Sequence, residues 1–332
     1  MALSGSYSQR RRPGPFQAAC SRGTRPRATK WRNMTPVWID TDIGSDIDDA
    51  VALLCAARHP GIRLVGVSTV FRWVGARAWL ARELLSRAGL GHVPVLPGAS
   101  APVTPGVRIG APEPESYGLL APRMPAESPA DDDDRVAAIG EAMAAVGEPF
   151  HLLTIGALTN AARLLHVRPD LRSAWSGVTC MAGRLEGPAE YNVRCDPVAA
   201  RTVFSRVEPR LVGLEASSNT LPRQEAEALL DPGDLASAFL LQCYRLYRER
   251  SGRPEEAQRA PLTLFDAISL LSLVQEDAFD FQPVRVLMER DGRLLLTDDG
   301  APVHYALSSD WAPLKRTLTG LLRGAAGWQG SA

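Results

Sequence analysis

The sequence predicts a doubly wound, mostly parallel α/β sheet flanked by helices, with a more helical C-terminal portion. Three observations carry that expectation. Short apolar runs alternate with helix-length segments along most of the chain. Several of those runs are apolar throughout rather than alternating, as strands buried on both faces are. The first run ends directly in a cluster of aspartates that opens a helix, and ligands of such sheets sit beyond the carboxyl ends of the strands.

Taken in order, strands are expected at Val37–Asp40, Arg63–Thr69, Val93–Leu96, His151–Ile155, Val178–Met181 and Arg210–Leu214. Helices are expected between them at Asp48–Arg58, Gly75–Ala88, Arg135–Val146, Asn160–Leu165 and Pro197–Ser205. This alternation implies right-handed crossovers. Residues Ala99–Asp134 are Pro-rich and read as a long surface excursion ending in Asp131–Asp134, a solvated charge run that starts a helix. From Pro222 to Pro261 the chain reads as helical and polar, with an Arg/Glu-rich stretch around Arg245–Glu256. An apolar helix beginning near Phe265 follows, then a strand pair Val284–Glu289 and Arg293–Thr297 turning at Asp291-Gly292.

The chain has 332 residues, 45% of them apolar and 22% charged, enough to bury a large core. Its net charge is zero, so nothing global points to nucleic acid or an acidic membrane. Residues 1–33 hold eight basic residues and no acidic one, leaving 29 basic against 37 acidic side chains in the remainder. That segment reads as a disordered tail or an upstream extension preceding Met34. Residues 34–325 are expected to form one domain and 326–332 a short tail. Five scattered cysteines without C-x-x-C spacing argue against a disulfide framework and suit a reducing cytoplasm. No apolar stretch approaches the roughly 18–20 residues that span a bilayer.

The chemistry is concentrated in Asp40-Thr41-Asp42-Ile43-Gly44-Ser45-Asp46-Ile47-Asp48-Asp49. Five carboxylates in ten residues repel one another unless a cation neutralises them. Calcium, a hard ion that takes oxygen ligands, suits such a site. One residue suffices to cap a helix, so capping does not explain five. An EF-hand needs a glycine at the sixth loop position and a terminal glutamate, and neither is present. A haloacid-dehalogenase-like phosphatase also begins with a strand and D-x-D. It needs a later cation, and the two lysines, Lys30 and Lys315, are poorly placed.

The segment DTDIGSDIDDA resembles the D-T-D-x-G-x-D-D-A signature of the calcium-dependent nucleoside hydrolases, lengthened by two residues. The resemblance continues over residues 36–325 through LLTIGALTNAARLL, MAGRLEGPAEYNVRCDPVAARTVF, RLVGLE and TLFDAISLL, in the family's order. It implies a nucleoside hydrolase-like fold and Ca2+ held by Asp42, Asp49, Asp266 and the Ile155 carbonyl, with Asp46 as an alternative to Asp42. It also implies that Asp42 takes the proton of the attacking water, and that Asp48, Glu190 and Asn192 hydrogen-bond the ribose. The implied substrate is a small-molecule nucleoside or N-riboside, and relatives are commonly homo-oligomers, dimers or tetramers.

Three positions depart from the pattern. Phe265 stands where many members carry the histidine that protonates the departing base, and Trp73 or a neighbour stands where a ribose-binding Asn or Asp is usual. The turn before Glu190 is short and carries arginine. Trp73 and Phe265 read either as an aromatic slot for a purine or as packing residues. Arg184 and Arg194 are expected to pair with Asp196 or Glu186, with contact to a substrate oxyanion as the alternative. His59, His92, His151, His166 and His304 hold no catalytic position. Hydrolysis of an N-glycosidic bond is the leading expectation. A catalytically impaired calcium- and ribosyl-binding member of the same fold, and a phosphatase, are the alternatives.

Overall fold

The computed structural model describes residues 34–107, 131–250 and 260–324. The expected tails at 1–33 and 326–332, most of the Pro-rich excursion and part of the Arg/Glu-rich stretch lie outside the described residues.

Strand β1 (Thr35–Thr41) leads into helix α1 (Asp48–Arg58), and β2 (Ile62–Thr69) into α2 (Val74–Arg87). Next come β3 (Val95–Pro97), α3 (Asp132–Ala144), β4 (Phe150–Thr154), α4 (Thr159–Val167) and β5 (Trp175–Cys180). The short α5 (Tyr191–Cys195) and α6 (Pro197–Val207) precede β6 (Arg210–Leu211), α7 (Leu214–Ser217) and β7 (Thr220–Leu221). After α8 (Arg223–Leu229) and α9 (Leu235–Arg250) come β8 (Leu262–Thr263), α10 (Phe265–Leu271), β9 (Phe279–Met288), β10 (Leu294–Leu296), β11 (Ala301–Ser309) and α11 (Trp311–Arg323).

Among the described residues nine strands form one sheet, in the order β10-β9-β11-β6-β5-β4-β1-β2-β3. From β11 to β3 every neighbour pair is parallel; β9 and β10 add an antiparallel edge. The sheet is therefore mostly parallel with flanking helices, as the alternating runs predict. Its two faces follow from the period of two along each strand. On β1, Val37 and Ile39 join a core with α1, α2, α9, α10 and α11, whereas Trp38 joins the opposite core with α3, α4 and α6. A Cβ at Gly66 would lie 2.2 Å from the Trp38 ring, so glycine is what lets the indole lie flat against β2.

Several expectations need correction. The aspartate run is only partly solvated: Asp132 is 1% exposed and accepts from Ser100 N (2.8 Å), Ser100 Oγ (2.9 Å) and Ala101 N (3.0 Å). It thereby anchors the chain just past β3. Helix α9 is not simply polar, because Phe239, Leu240, Leu241, Cys243 and Tyr244 bury one face in the core. β9 begins five residues before Val284, and α6 ends two residues beyond Ser205. No helix of the described residues is long and apolar enough to cross a membrane.

His151, on β4, is mostly buried, with Nε2 2.9 Å from Thr179 Oγ1. Burial first, and the charge of Arg210 second, lower its pKa to about 4. The unfolded chain then binds the extra proton between roughly pH 6.5 and 4, so stability is lost as pH falls through that window. His151→Gln is expected to flatten this limb. The wild-type advantage should shrink by about 2 kcal/mol between pH 7 and 4.5 in urea titrations, a figure discounted for the partial exposure of the ring. Parallel pH curves for the two proteins would contradict it.

Candidate metal-binding active site

The parallel strands β1, β2 and β4 end side by side, Asp40 opposite Ser68 and Thr154. Their carboxyl ends open where α1 begins, and α1 places Asp48 and Asp49 in its first turn, where the helix dipole favours negative charge. Asp266 arrives from the first turn of α10. One carboxylate oxygen each from Asp48, Asp49 and Asp266 lie within 4.8 Å of one another, and all three residues are buried.

These groups resist ionisation. Burial, then the charges of Asp46, Asp49 and Asp42, holds the Asp48 carboxyl well above the usual range. Asp49 is raised by burial and Asp42, against a hydrogen bond from Thr41 Oγ1 and the charge of Arg77. Asp266 is raised by burial and then by Asp48, Asp49, Asp42 and Asp46. A buried, all-carboxylate donor set whose members repel one another is the chemistry that a hard divalent cation satisfies. The residues therefore fit a metal of that kind.

Asp42 lies outside the close trio yet faces all of it, and its charge also reaches Asp40, Glu190, Tyr191 and Cys195. Asp46 has one oxygen engaged by Ile47 N (2.6 Å) and Thr263 Oγ1 (3.2 Å), which ties the lengthened loop to β8. Asp40 accepts from Ser68 Oγ (2.5 Å) and Asn160 Nδ2 (2.8 Å), and burial pushes its carboxyl up to about 7.

The Ile155 backbone closes the end of β4, its N–H donating to Asp40 O (2.8 Å) and its carbonyl accepting from Asn192 Nδ2 (3.2 Å). Asn192 also donates to Met181 O (3.0 Å), bridging the ends of β4 and β5. Glu190 caps α5: Oε1 accepts from Asn192 N (2.7 Å), and Oε2 from Val193 N and Gly183 N (both 3.2 Å). Burial nevertheless pushes its carboxyl up to about 7.

Trp73 is half-buried at the N-cap of α2, and Phe265 is half-buried at the start of α10, packed against the core. Among the described residues these two rings form no ring pair with each other. The expected partnership of Arg184 or Arg194 with Asp196 is overturned. Asp196 is fully buried and accepts from Val103 N (2.7 Å), Thr104 Oγ1 (2.6 Å), Thr159 Oγ1 (2.7 Å) and Ala199 N (3.2 Å), while Arg194 is exposed and lies over the Tyr191 ring. The reason is local: Asp196 precedes Pro197 and caps α6, so backbone N–H groups and two threonine hydroxyls take its oxygens.

Sequence reading missed Gly156 and Arg77. A Cβ on Gly156 would meet Asp42 N at 2.8 Å and Asp42 Oδ1 at 2.9 Å. Gly156→Ala must displace Asp42, so we expect it to weaken metal binding about tenfold while leaving most of the fold intact. Calorimetric titration with CaCl2 beside a thermal melt checks this; unaltered affinity would exclude close packing at Asp42.

This mostly parallel α/β sheet brings carboxylates from its first strand-helix loop and from a late helix into one cluster that could hold a metal. The chain belongs to the inosine-uridine preferring nucleoside hydrolase family, which matches residues 37–315. It is 29% identical over 270 residues to the non-specific ribonucleoside hydrolase RihC of Escherichia fergusonii, covering 77% of this chain and 84% of that protein. It shares its fold with the inosine-uridine preferring nucleoside hydrolase from Bacillus anthracis (22% identity, TM-score 0.69), covering 87% of this chain and 99% of that one. The purine-preferring ribonucleoside hydrolase from Gardnerella vaginalis gives the same TM-score and coverage at 19% identity. The family is one of enzymes that hydrolyse N-glycosidic bonds, and nothing in these likenesses favours a phosphatase.

Proposed function

We propose that this chain hydrolyses the N-glycosidic bond of a purine nucleoside or closely related N-riboside, with Ca2+ as its metal and residues 34–325 as one catalytic domain. The observation that carries this reading is the convergence of Asp48 and Asp49 with Asp266, faced by Asp42. When bound, Ca2+ would neutralise these carboxylates, anchor ribose hydroxyls and lower the pKa of a water. Asp42, Asp49, Asp266 and the Ile155 carbonyl are the ligands we assign, with Asp48 close enough to Asp49 and Asp266 to share the shell.

Asp42, which faces the three clustered carboxylates, accepts the proton of the attacking water. Asp48, Glu190 and the amide oxygen of Asn192 hydrogen-bond the ribose, and Glu190 also fixes the wall that carries Asn192. Negative side chains around the ring favour the positive charge that develops as the base departs. Trp73 and Phe265 stack on the base. The four buried free cysteines among the described residues suit a reducing cytoplasm, and we propose a homo-oligomer, dimer or tetramer, by analogy with the family.

A second reading rests on Phe265, which cannot protonate a leaving base: the chain binds calcium and a ribosyl ligand without turnover. Incubation with a panel of purine and pyrimidine nucleosides, with and without chelator, separates the two. Free base and ribose lost on adding chelator support hydrolysis. Calcium-dependent ligand binding without products supports the second reading, and neither products nor binding rejects both.

A further inference from the structure

Arg77 is 0% exposed, and among the described residues it is the one buried arginine or lysine. A guanidinium stays charged in a protein, so its burial must be compensated by hydrogen bonds and opposite charge. Its Nε donates to Phe71 O (2.8 Å), Nη1 to Ile43 O (3.0 Å) and Nη2 to Ser45 Oγ (3.0 Å). Two of these acceptors belong to the lengthened aspartate loop, and the third to the turn that follows β2.

That turn is strained. Phe71 (φ 69°) and Arg72 (φ 61°) are consecutive left-handed residues, neither of them glycine. Such backbone persists only where its surroundings over-determine it. Here Phe71 N donates to Ala99 O (2.8 Å) and Arg72 N to Ser100 O (2.7 Å), while Arg77 takes the Phe71 carbonyl. The same guanidinium therefore grips the metal loop with one edge and the strained turn with another. The turn also carries Arg72 towards Tyr191 and Cys195, which face Asp42.

We propose that Arg77 is a positioning residue for the metal site: it clamps Ile43–Ser45 to the left-handed Phe71–Arg72 turn, so that the loop presents its carboxylates in a ligating geometry before the cation arrives. This rests on the metal reading above. Arg77→Lys separates a clamp from a charge effect: lysine keeps the cation, so a charge effect leaves calcium affinity unchanged, whereas loss of the planar fork weakens it.

The test is calorimetric titration of the full chain with CaCl2, well below the melting temperature, for wild type, Arg77→Met, Arg77→Lys and Ser45→Ala. Melting curves in chelator accompany it. Arg77→Met and Arg77→Lys are expected to bind calcium at least about tenfold more weakly, the usual scale for outer-shell groups. Lysine keeps the charge but cannot reach three acceptors in the guanidinium's planar fork. Ser45→Ala, which removes the acceptor of Arg77 Nη2, is expected to weaken binding about threefold. Unchanged or tighter binding in folded Arg77→Met and Arg77→Lys overturns the proposal. Should Arg77→Met fail to fold, unchanged affinity in Arg77→Lys and Ser45→Ala overturns it equally. Loss of melting temperature without loss of affinity marks Arg77 as merely structural. A wild type that binds no calcium sinks the metal reading itself, a result distinct from wild-type binding that the variants share.

Discussion

Asp49→Asn is expected to abolish calcium-dependent hydrolysis while making the metal-free protein more stable. The catalytic loss should be about 10³-fold or more, since several kcal/mol of charge stabilisation leaves with the metal. The opposite effect on the metal-free fold follows from the burial of Asp49 beside Asp42. Its folded pKa lies above its unfolded value, so the stability its neutral form provides is full below about pH 3.8 and lost as pH rises through the folded pKa. Chelated wild type should therefore weaken from acid towards neutral pH through this group, and Asp49→Asn should weaken less. Asparagine keeps the oxygen that accepts from Thr41 Oγ1. Melting curves at pH 7.5 in chelator should place the variant above wild type, and calcium should shift wild type alone. Equal calcium content in the two purified proteins would end the assignment of Asp49 as a ligand.

Asn192→Ala is expected to produce the second largest effect, on stability and affinity together. The Asn192 amide satisfies two buried carbonyls, Ile155 O and Met181 O, at the ends of adjacent strands. Leaving buried acceptors unpaired costs about 1–3 kcal/mol each, so a loss of about 2–4 kcal/mol is expected in chemical denaturation. Because Ile155 O is also an assigned metal ligand, calcium affinity should fall as the carbonyl loses its orienting donor. Asn192→Asp is expected to be worse, setting a charge against two carbonyl oxygens beside Glu190 and Asp42. A stable Asn192→Ala with wild-type affinity would show that the bridge between β4 and β5 is dispensable.

Much of this architecture is legible in the sequence where local and global signals agree. Helix α1 runs from Asp48 to Arg58 as read, because acidic residues at its first turn and a continuous apolar run within it point to the same element. The two-faced burial of β1 is likewise visible in the unbroken apolar run Val37-Trp38-Ile39. Helix α5 escaped notice because five residues are too few to show a period, and its cap is a glutamate. The sheet order could not be read, since β6 pairs with β5 and β11 across distant chain, and no local pattern encodes that choice. Within the site, carboxylates are conspicuous because repulsion makes their crowding improbable without a cation. Arg77 is not conspicuous. In VGARAWLARELL an arginine at the first turn of a helix looks like an ordinary surface residue, and only the folded loop reveals why it lies inside.

The pairing of Asp48 and Asp49 with Asp266 spans more than two hundred residues of chain. During synthesis the early carboxylates emerge long before α10 exists, and closing so wide a segment carries an entropic cost that grows with the logarithm of its length. A cation held at both ends would act as a staple set last. Occupancy would thus report that the segment from Asp48 to Asp266 has reached its native arrangement, and a ribosome-stalled fragment ending before residue 266 would lack the third jaw of the grip.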